Sequence, residues 1–100
     1  MKDCFGFDVR LTDERRTHIL QHPEMTELEG AIILSLAMPQ EVRLSRSDNS
    51  VRLFYRHFDK TVVGSKWLCV VVKHSALDAF IITAYLTDKL KPGEVLWFNP

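Results

Sequence analysis

Two apolar runs constrain the fold of this chain more than any other feature. Lys66-Trp67-Leu68-Cys69-Val70-Val71-Val72-Lys73-His74 and Phe80-Ile81-Ile82-Thr83-Ala84-Tyr85-Leu86-Thr87 are both of strand length, and only Ser75-Ala76-Leu77-Asp78-Ala79 separates them. Runs so rich in β-branched and aromatic residues, joined by so short a connector, read as an antiparallel hairpin at the centre of a sheet. Side chains alternate along a strand and opposed residues share a face. Pairing His74 with Phe80 therefore puts Leu68, Val70 and Val72 beside Leu86, Ala84 and Ile82. That face is wholly apolar and needs a cover. The other face carries Trp67, Cys69, Val71 and Lys73 beside Ile81, Thr83, Tyr85 and Thr87, a surface of rings, hydroxyls and one amine.

The preceding residues supply the cover. Phe7 to Leu11 alternates as a short edge strand or extended arm. Thr12 then caps a helix whose first turn holds Asp13 and Glu14, acids that complement the helix dipole. The helix runs to about Gln21 and ends at His22-Pro23, since a residue before proline is pushed out of the helical region. Thr26 with Glu29 at capping-box spacing opens a second helix, in which Leu28, Ile32, Ile33, Leu36 and Ala37 recur at helical spacing up to Pro39.

After Gln40 the apolar period drops to two. Val42 and Leu44 alternate with Arg43 and Ser45, Ser47-Asp48-Asn49-Ser50 is a turn cluster, and Val51 to Phe58 is a strand with apolar residues on both faces. A four-residue loop would oppose Leu44 with Leu53 on the covered face and leave Arg43, Arg52, Phe54 and Arg56 on the other. Asp59 to Ser65 reads as a loop, residues 88 to 93 as a turn region, and Glu94 to Phe98 as a short strand or docked tail. The expected architecture is a single α+β domain over residues 1–100. Two N-terminal helices pack on one face of a four-stranded antiparallel sheet and leave the second face open.

Composition narrows the functions available. With 13 basic and 13 acidic residues in 100 the formal charge is zero, so the whole chain exerts no general attraction on phosphate backbones or acidic membranes. A nucleic-acid role requires cations gathered on one face. Met1-Lys2-Asp3-Cys4 leads into no apolar signal region, and no apolar run nears the roughly 18 residues of a membrane span. Cys4 and Cys69 lack metal-type spacing, and a reducing, cytoplasmic setting is the expectation.

Several residues are candidates for chemistry. His18 and His22 stand at i and i+4, a spacing that can hold zinc, but the zinc-hydrolase helix needs His-Glu-x-x-His and here Ile19, Leu20 and Gln21 intervene. No metal or other cofactor is expected. His18 remains either a partly buried structural residue or an acid-base group, since imidazole side chains as a class move protons at working pH. Arg43, Arg52, Arg56 and Lys73 would gather on the open face, where they either bind phosphates or pair with Glu41, Asp48 and Asp59. Thr83 and Tyr85 share that face, as hydroxyls that orient a phosphate or simply as good strand residues, and Tyr85 or Phe54 would suit stacking on a base. Cys69 has no histidine placed to activate it.

Read together, Arg10-Leu11-Thr12-Asp13-Glu14-Arg15, His18-Ile19-Leu20, His22-Pro23-Glu24, Ser45-Arg46-Ser47-Asp48, Val51-Arg52-Leu53-Phe54-Tyr55-Arg56, Val70-Val71-Val72-Lys73, Ile82-Thr83-Ala84-Tyr85-Leu86-Thr87-Asp88 and Gly93-Glu94-Val95-Leu96-Trp97 form a pattern. It resembles a group of small prokaryotic and phage proteins placed in the barnase, EndoU, colicin and RelE-like nuclease superfamily. The resemblance implies RNA cleavage without metal on the open sheet face, in a toxin-like role with RNA as substrate and an antitoxin as protein partner. It implies His18 as acid or base, Lys73 stabilising the phosphate, Thr83 and Tyr85 orienting it, and Arg43, Arg52 and Arg56 as phosphate contacts. A second expectation from a different class is a non-catalytic interaction or dimerisation domain of the same fold, using Trp67, Phe54 and Trp97.

Overall fold

In the computed structural model, which describes residues 1–100, the first helix begins where the cap requires. The Thr12 side chain accepts the Arg15 N–H at 3.2 Å, and helix α1 spans Asp13–Leu20. A short 3-10 turn at Pro23–Met25 follows, and helix α2 covers Glu29–Ala37. Here the expected capping box fails. Leu28 is the N-cap and makes no side-chain bond, because Thr26 still closes the preceding turn. Glu29 instead takes a two-pronged bond from Arg16, which ties the two helices together.

The sheet is antiparallel and five-stranded, one more strand than expected, with order β4-β3-β2-β1-β5. Its strands are β1 (Glu41–Leu44), β2 (Val51–Thr61), β3 (Gly64–His74), β4 (Ala79–Thr87) and β5 (Val95–Phe98). The extra strand is the apolar tail, which pairs with β1 at the edge far from β4. Residues expected to loop between β2 and β3 instead extend both strands to a tight turn at Thr61 and Gly64. Gly64 adopts φ +94°, a conformation open to glycine, and the Thr61 hydroxyl braces the turn by donating to the Gly64 carbonyl. The N-terminal arm caps part of the β4 edge, where Arg10 N–H donates to Ala79 O and Ile81 N–H to Arg10 O.

The helices cover one face as expected. Val42, Phe54, Leu68, Val70, Val72, Ile81 and Ala84 of the sheet form one core with Val9, Ile19, Met25, Ile32 and Leu36. At about 25 cal/mol per Å2 of apolar surface removed from water, such a contiguous core is the main term favouring the fold.

Two register corrections decide which residues reach the other face. In the central hairpin Leu68 opposes Leu86 and Val70 opposes Ala84, as read from the sequence, but a bulge at Val71/Val72 then sets Val72 against Ile81 and His74 against Ala79. One extra residue on β4 is absorbed there, so Ile81 joins the core and Ile82 turns to the open face. Between β1 and β2 the slip is also one residue: Leu44 opposes Arg52 and Val42 opposes Phe54. A one-residue slip exchanges every side chain between faces. Phe54 is fully buried under the helices, while Val51, Leu53 and Tyr55 face the other way. The cause lies in the turn. Asp48 Oδ1 accepts both the Ser50 N–H and the Ser50 hydroxyl, Asp48 O accepts Val51 N–H, and the first pairing past the turn joins Ser45 to Val51. That turn is one residue longer than the four-residue loop.

Candidate functional site

The helix-free face is not bare. Because β4 and β5 lie at opposite edges, residues 88–94 must cross the sheet, and they do so over this face. Leu90 packs onto a second small core of Val51, Leu53, Tyr55 and Cys69, flanked by Trp67, Val71, Ile82 and Tyr85. Tyr55, Cys69 and Tyr85 form one rung across β2, β3 and β4 beneath this crossing. Burial pushes the Cys69 thiol up to about 11 and the Tyr55 phenol to about 12, and raises Tyr85 further. All three keep their protons at neutral pH, so Cys69 is no nucleophile here.

Beside the crossing lies a groove of about 490 Å3. Val51, Leu53, Val71 and Ile82 form its floor. Its walls come from the β1–β2 turn, with Ser45, Arg46, Ser47 and Asp48, from Thr83 and Tyr85 of β4, and from Lys91 and Pro92 of the crossing. The Ser45 and Ser47 hydroxyls stand 3.1 Å apart. Lys73 does not line the groove but donates to Asp48 Oδ2 on its wall at 3.0 Å. Bonds from the Ser50 hydroxyl and N–H, with Lys73 beside them, hold the Asp48 carboxyl down to about 2. Arg46 and Lys91 take part in none of the seven ion pairs of the chain. The Lys91 ammonium stands 5.7 Å from the centre of the Tyr85 ring.

The sequence-predicted residues divide between the two sides of the sheet. Thr83 and Tyr85 are brought to the groove, and Lys73 is linked to it through Asp48; the Tyr85 hydroxyl is buried without a hydrogen-bond partner, so the ring and not the oxygen lines the wall. Arg43 shares this face but is engaged: it is paired with the nearly buried Glu41 and donates Nη1 to the Lys91 carbonyl at 2.8 Å. Arg52 and Arg56 belong to the helix-covered face, a consequence of the β2 register. Arg52 stacks over Phe5 and Phe7, at 4.9 and 5.6 Å, and Arg56 donates to the Met38 carbonyl at 2.6 Å. His18 is exposed on α1, in the helix layer, among Asp13, Glu14, Arg15, Thr17 and Gln21, with the His22 ring 6.1 Å away. It is not brought to the groove. Of the rings read as exposed, Phe54 is core and Trp97 packs on Phe5, while Trp67 is half-buried against His57.

Arg46 and Lys91 were the residues the sequence reasoning did not assign. Arg46 lies within the Ser45-Arg46-Ser47-Asp48 motif, which was a usable signal. Lys91 carried none, since it reads as a turn residue before Pro92 and reaches the groove only through the crossing.

Chemically, the groove offers two cations without carboxylate partners, one carboxylate paired to Lys73 behind it, three hydroxyls and an apolar floor. That set suits a ligand with a spaced anionic backbone and flat apolar groups. No group of three or more histidine, cysteine or carboxylate side chains is close enough to hold a metal ion, and no helix is long and apolar enough to cross a membrane. Neither family models, curated proteins nor solved structures yielded a match to this chain.

Proposed function

We propose that the groove binds the phosphodiester backbone of RNA and that the chain cleaves it without a metal ion. The observation that carries this reading is that Arg46 and Lys91, both free of carboxylate partners, line one hydroxyl-bearing groove in a chain of zero net charge. Attack by a ribose 2′-hydroxyl on the adjacent phosphate builds negative charge, which Arg46, Lys91 and Lys73 would stabilise. Asp48 is the one carboxylate on the groove. It would take the 2′-hydroxyl proton as the 2′-oxygen bonds to phosphorus and pass it to the 5′-oxygen as that P–O bond breaks, leaving a 2′,3′-cyclic phosphate and a free 5′-hydroxyl. A base held near pKa 2 has little proton affinity, so charge stabilisation supplies most of the rate and turnover is slow. His18 has no part in this arrangement.

The test is cleavage of a labelled mixed RNA pool in EDTA by wild type, Lys73→Ala, Arg46→Ala and His18→Ala. The reading expects cutting that His18→Ala leaves intact and the other two lower by at least tenfold. A well-folded wild type that cuts no RNA removes the catalytic claim.

A second reading, an interaction or dimerisation domain, is favoured by one feature. Edge strand β5 leaves Val95 49% and Phe98 65% exposed, and an unpaired apolar edge is a template for another strand. Concentration-dependent sedimentation that Phe98→Lys abolishes would support it.

A further inference from the structure

Lys91 is fixed more firmly than an exposed lysine on a long connection has reason to be. Its N–H donates to the Tyr55 hydroxyl at 3.0 Å, and its carbonyl accepts Arg43 Nη1 at 2.8 Å. Both partners are themselves held by packing or pairing. Tyr55 is fully buried, and Arg43 is held by Glu41, a residue only 9% exposed. Glu41 and Tyr55 are directly opposed across β1 and β2, so the whole support belongs to neighbouring positions of the sheet. Two residues further on, Gly93 lies so close to β1 that an added Cβ would fall 2.1 Å from the Leu44 carbonyl oxygen, and Glu94 O accepts the Leu44 N–H. The connection is thus pinned at Lys91 and again at Gly93 and Glu94. The Lys91 side chain stands over the Tyr85 ring and lines the groove.

We infer that Lys91 is a principal phosphate contact of the groove, and that Tyr55 and Arg43, with Glu41 behind them, are positioning residues that hold it there. This rests on the reading of the groove as an RNA site. A buried tyrosine and a largely covered ion pair are costly ways to anchor a loop that needs no fixed geometry, since their polar groups lose water and must be satisfied in its place. They are suited to a cation that must meet a phosphate without first losing loop and side-chain freedom. The ligand class follows: a single-stranded phosphodiester, one phosphate against Lys91 and the next toward Arg46, with an aromatic base against the Val71 and Ile82 floor.

The probe is a fluorescein-labelled 2′-O-methyl RNA octamer of mixed sequence, which lacks the attacking hydroxyl and so reports binding alone. Anisotropy titrations over a range of salt compare the full chain with Lys91→Gln, Tyr55→Phe, the double variant, and Lys89→Gln as a charge-matched control on the same connection. Loss of one charge-assisted contact predicts about tenfold weaker binding for Lys91→Gln and a salt slope smaller by about 0.7, the increment per phosphate for single strands. Lys89→Gln should change neither by a comparable amount. Tyr55→Phe should weaken binding in the wild-type background and have no effect once Lys91 is glutamine, because its role passes through that residue. Arg43→Gln, which removes the other pin, should behave in the same way and serves if Tyr55→Phe does not fold. No binding by wild type would overturn the groove reading itself. Binding that Lys91→Gln and Lys89→Gln weaken equally would overturn the assignment of Lys91 and leave the groove standing. Equal losses from Tyr55→Phe and Arg43→Gln in both backgrounds would overturn the positioning role.

Discussion

Replacing Arg52 with alanine separates the two faces of the sheet more sharply than any other substitution. Arg52 opposes Val72 on β3 and lies on the helix-covered side, with its guanidinium over the Phe5 and Phe7 rings. Each cation–ring contact is worth about 0.5–1 kcal/mol when partly exposed, and the aliphatic stem adds packing over the same rings. Their loss should destabilise the domain by about 1–2 kcal/mol. For a domain of this size that lowers the melting temperature by roughly 5–15 °C, at about 4–8 °C per kcal/mol. Arg52→Lys should recover part of the loss, keeping charge and stem but not the planar stack. RNA affinity and its salt slope should be unchanged in both variants below their melting points, since the side chain is on the wrong side of the sheet to meet a ligand in the groove. An Arg52→Ala protein that melts like wild type yet binds RNA more weakly would refute the β2 register and with it the whole facing argument.

Three further outcomes follow from the same geometry. Gly93→Ala should lower both stability and RNA affinity, because a Cβ at that position meets the Leu44 carbonyl oxygen and the crossing must move; a variant with wild-type melting and binding would contradict the tight approach. His74, whose imidazole is held below its usual pKa by burial and then by Arg52, takes up a proton more readily unfolded, so its contribution is complete above about pH 6.5 and declines as pH falls below it. Urea midpoints at pH 7.5 and 5.5 should therefore differ more for wild type than for His74→Asn. The depressed Asp48 carboxyl acts with the same sign at lower pH: its contribution is full above about pH 4 and lost as pH falls through about 2. Asp48→Asn should flatten that part of an acid titration followed by circular dichroism.

Much of the fold was legible because its strongest signals are local. Val70-Val71-Val72 and Ile81-Ile82 announce strands whatever their neighbours, and a five-residue connector leaves little but a hairpin. Strand β2 was harder. Leu53 and Phe54 are adjacent and both large and apolar, so alternation cannot choose a face, and the choice fell to a turn whose length the Asp48 side chain decides. The capping box at Thr26 fails because Thr26 closes the 3-10 turn, and Glu29 pairs instead with Arg16, a contact between helices that spacing does not reveal.

The groove was legible to the same degree. Lys73, Thr83 and Tyr85 were placed on one face because they belong to the hairpin with the clear period. The strand assigned to residues 94–98 was visible as an apolar run, but not that it pairs with β1 at the far edge. The crossing of residues 88–94, and with it the arrival of Lys91, follows from that non-local pairing. His18 belongs to a helix of the covering layer, so its expected role on the open face rested on the resemblance and not on the helix and strand pattern.

The central claim, that RNA meets the helix-free face at this groove, is tested most directly by backbone NMR of the labelled protein titrated with the 2′-O-methyl octamer. The account predicts shift changes concentrated at residues 45–48, 71–73, 82–85 and 91, with α1 silent. Changes centred on His18 and its neighbours on α1, with the groove unmoved, would contradict it.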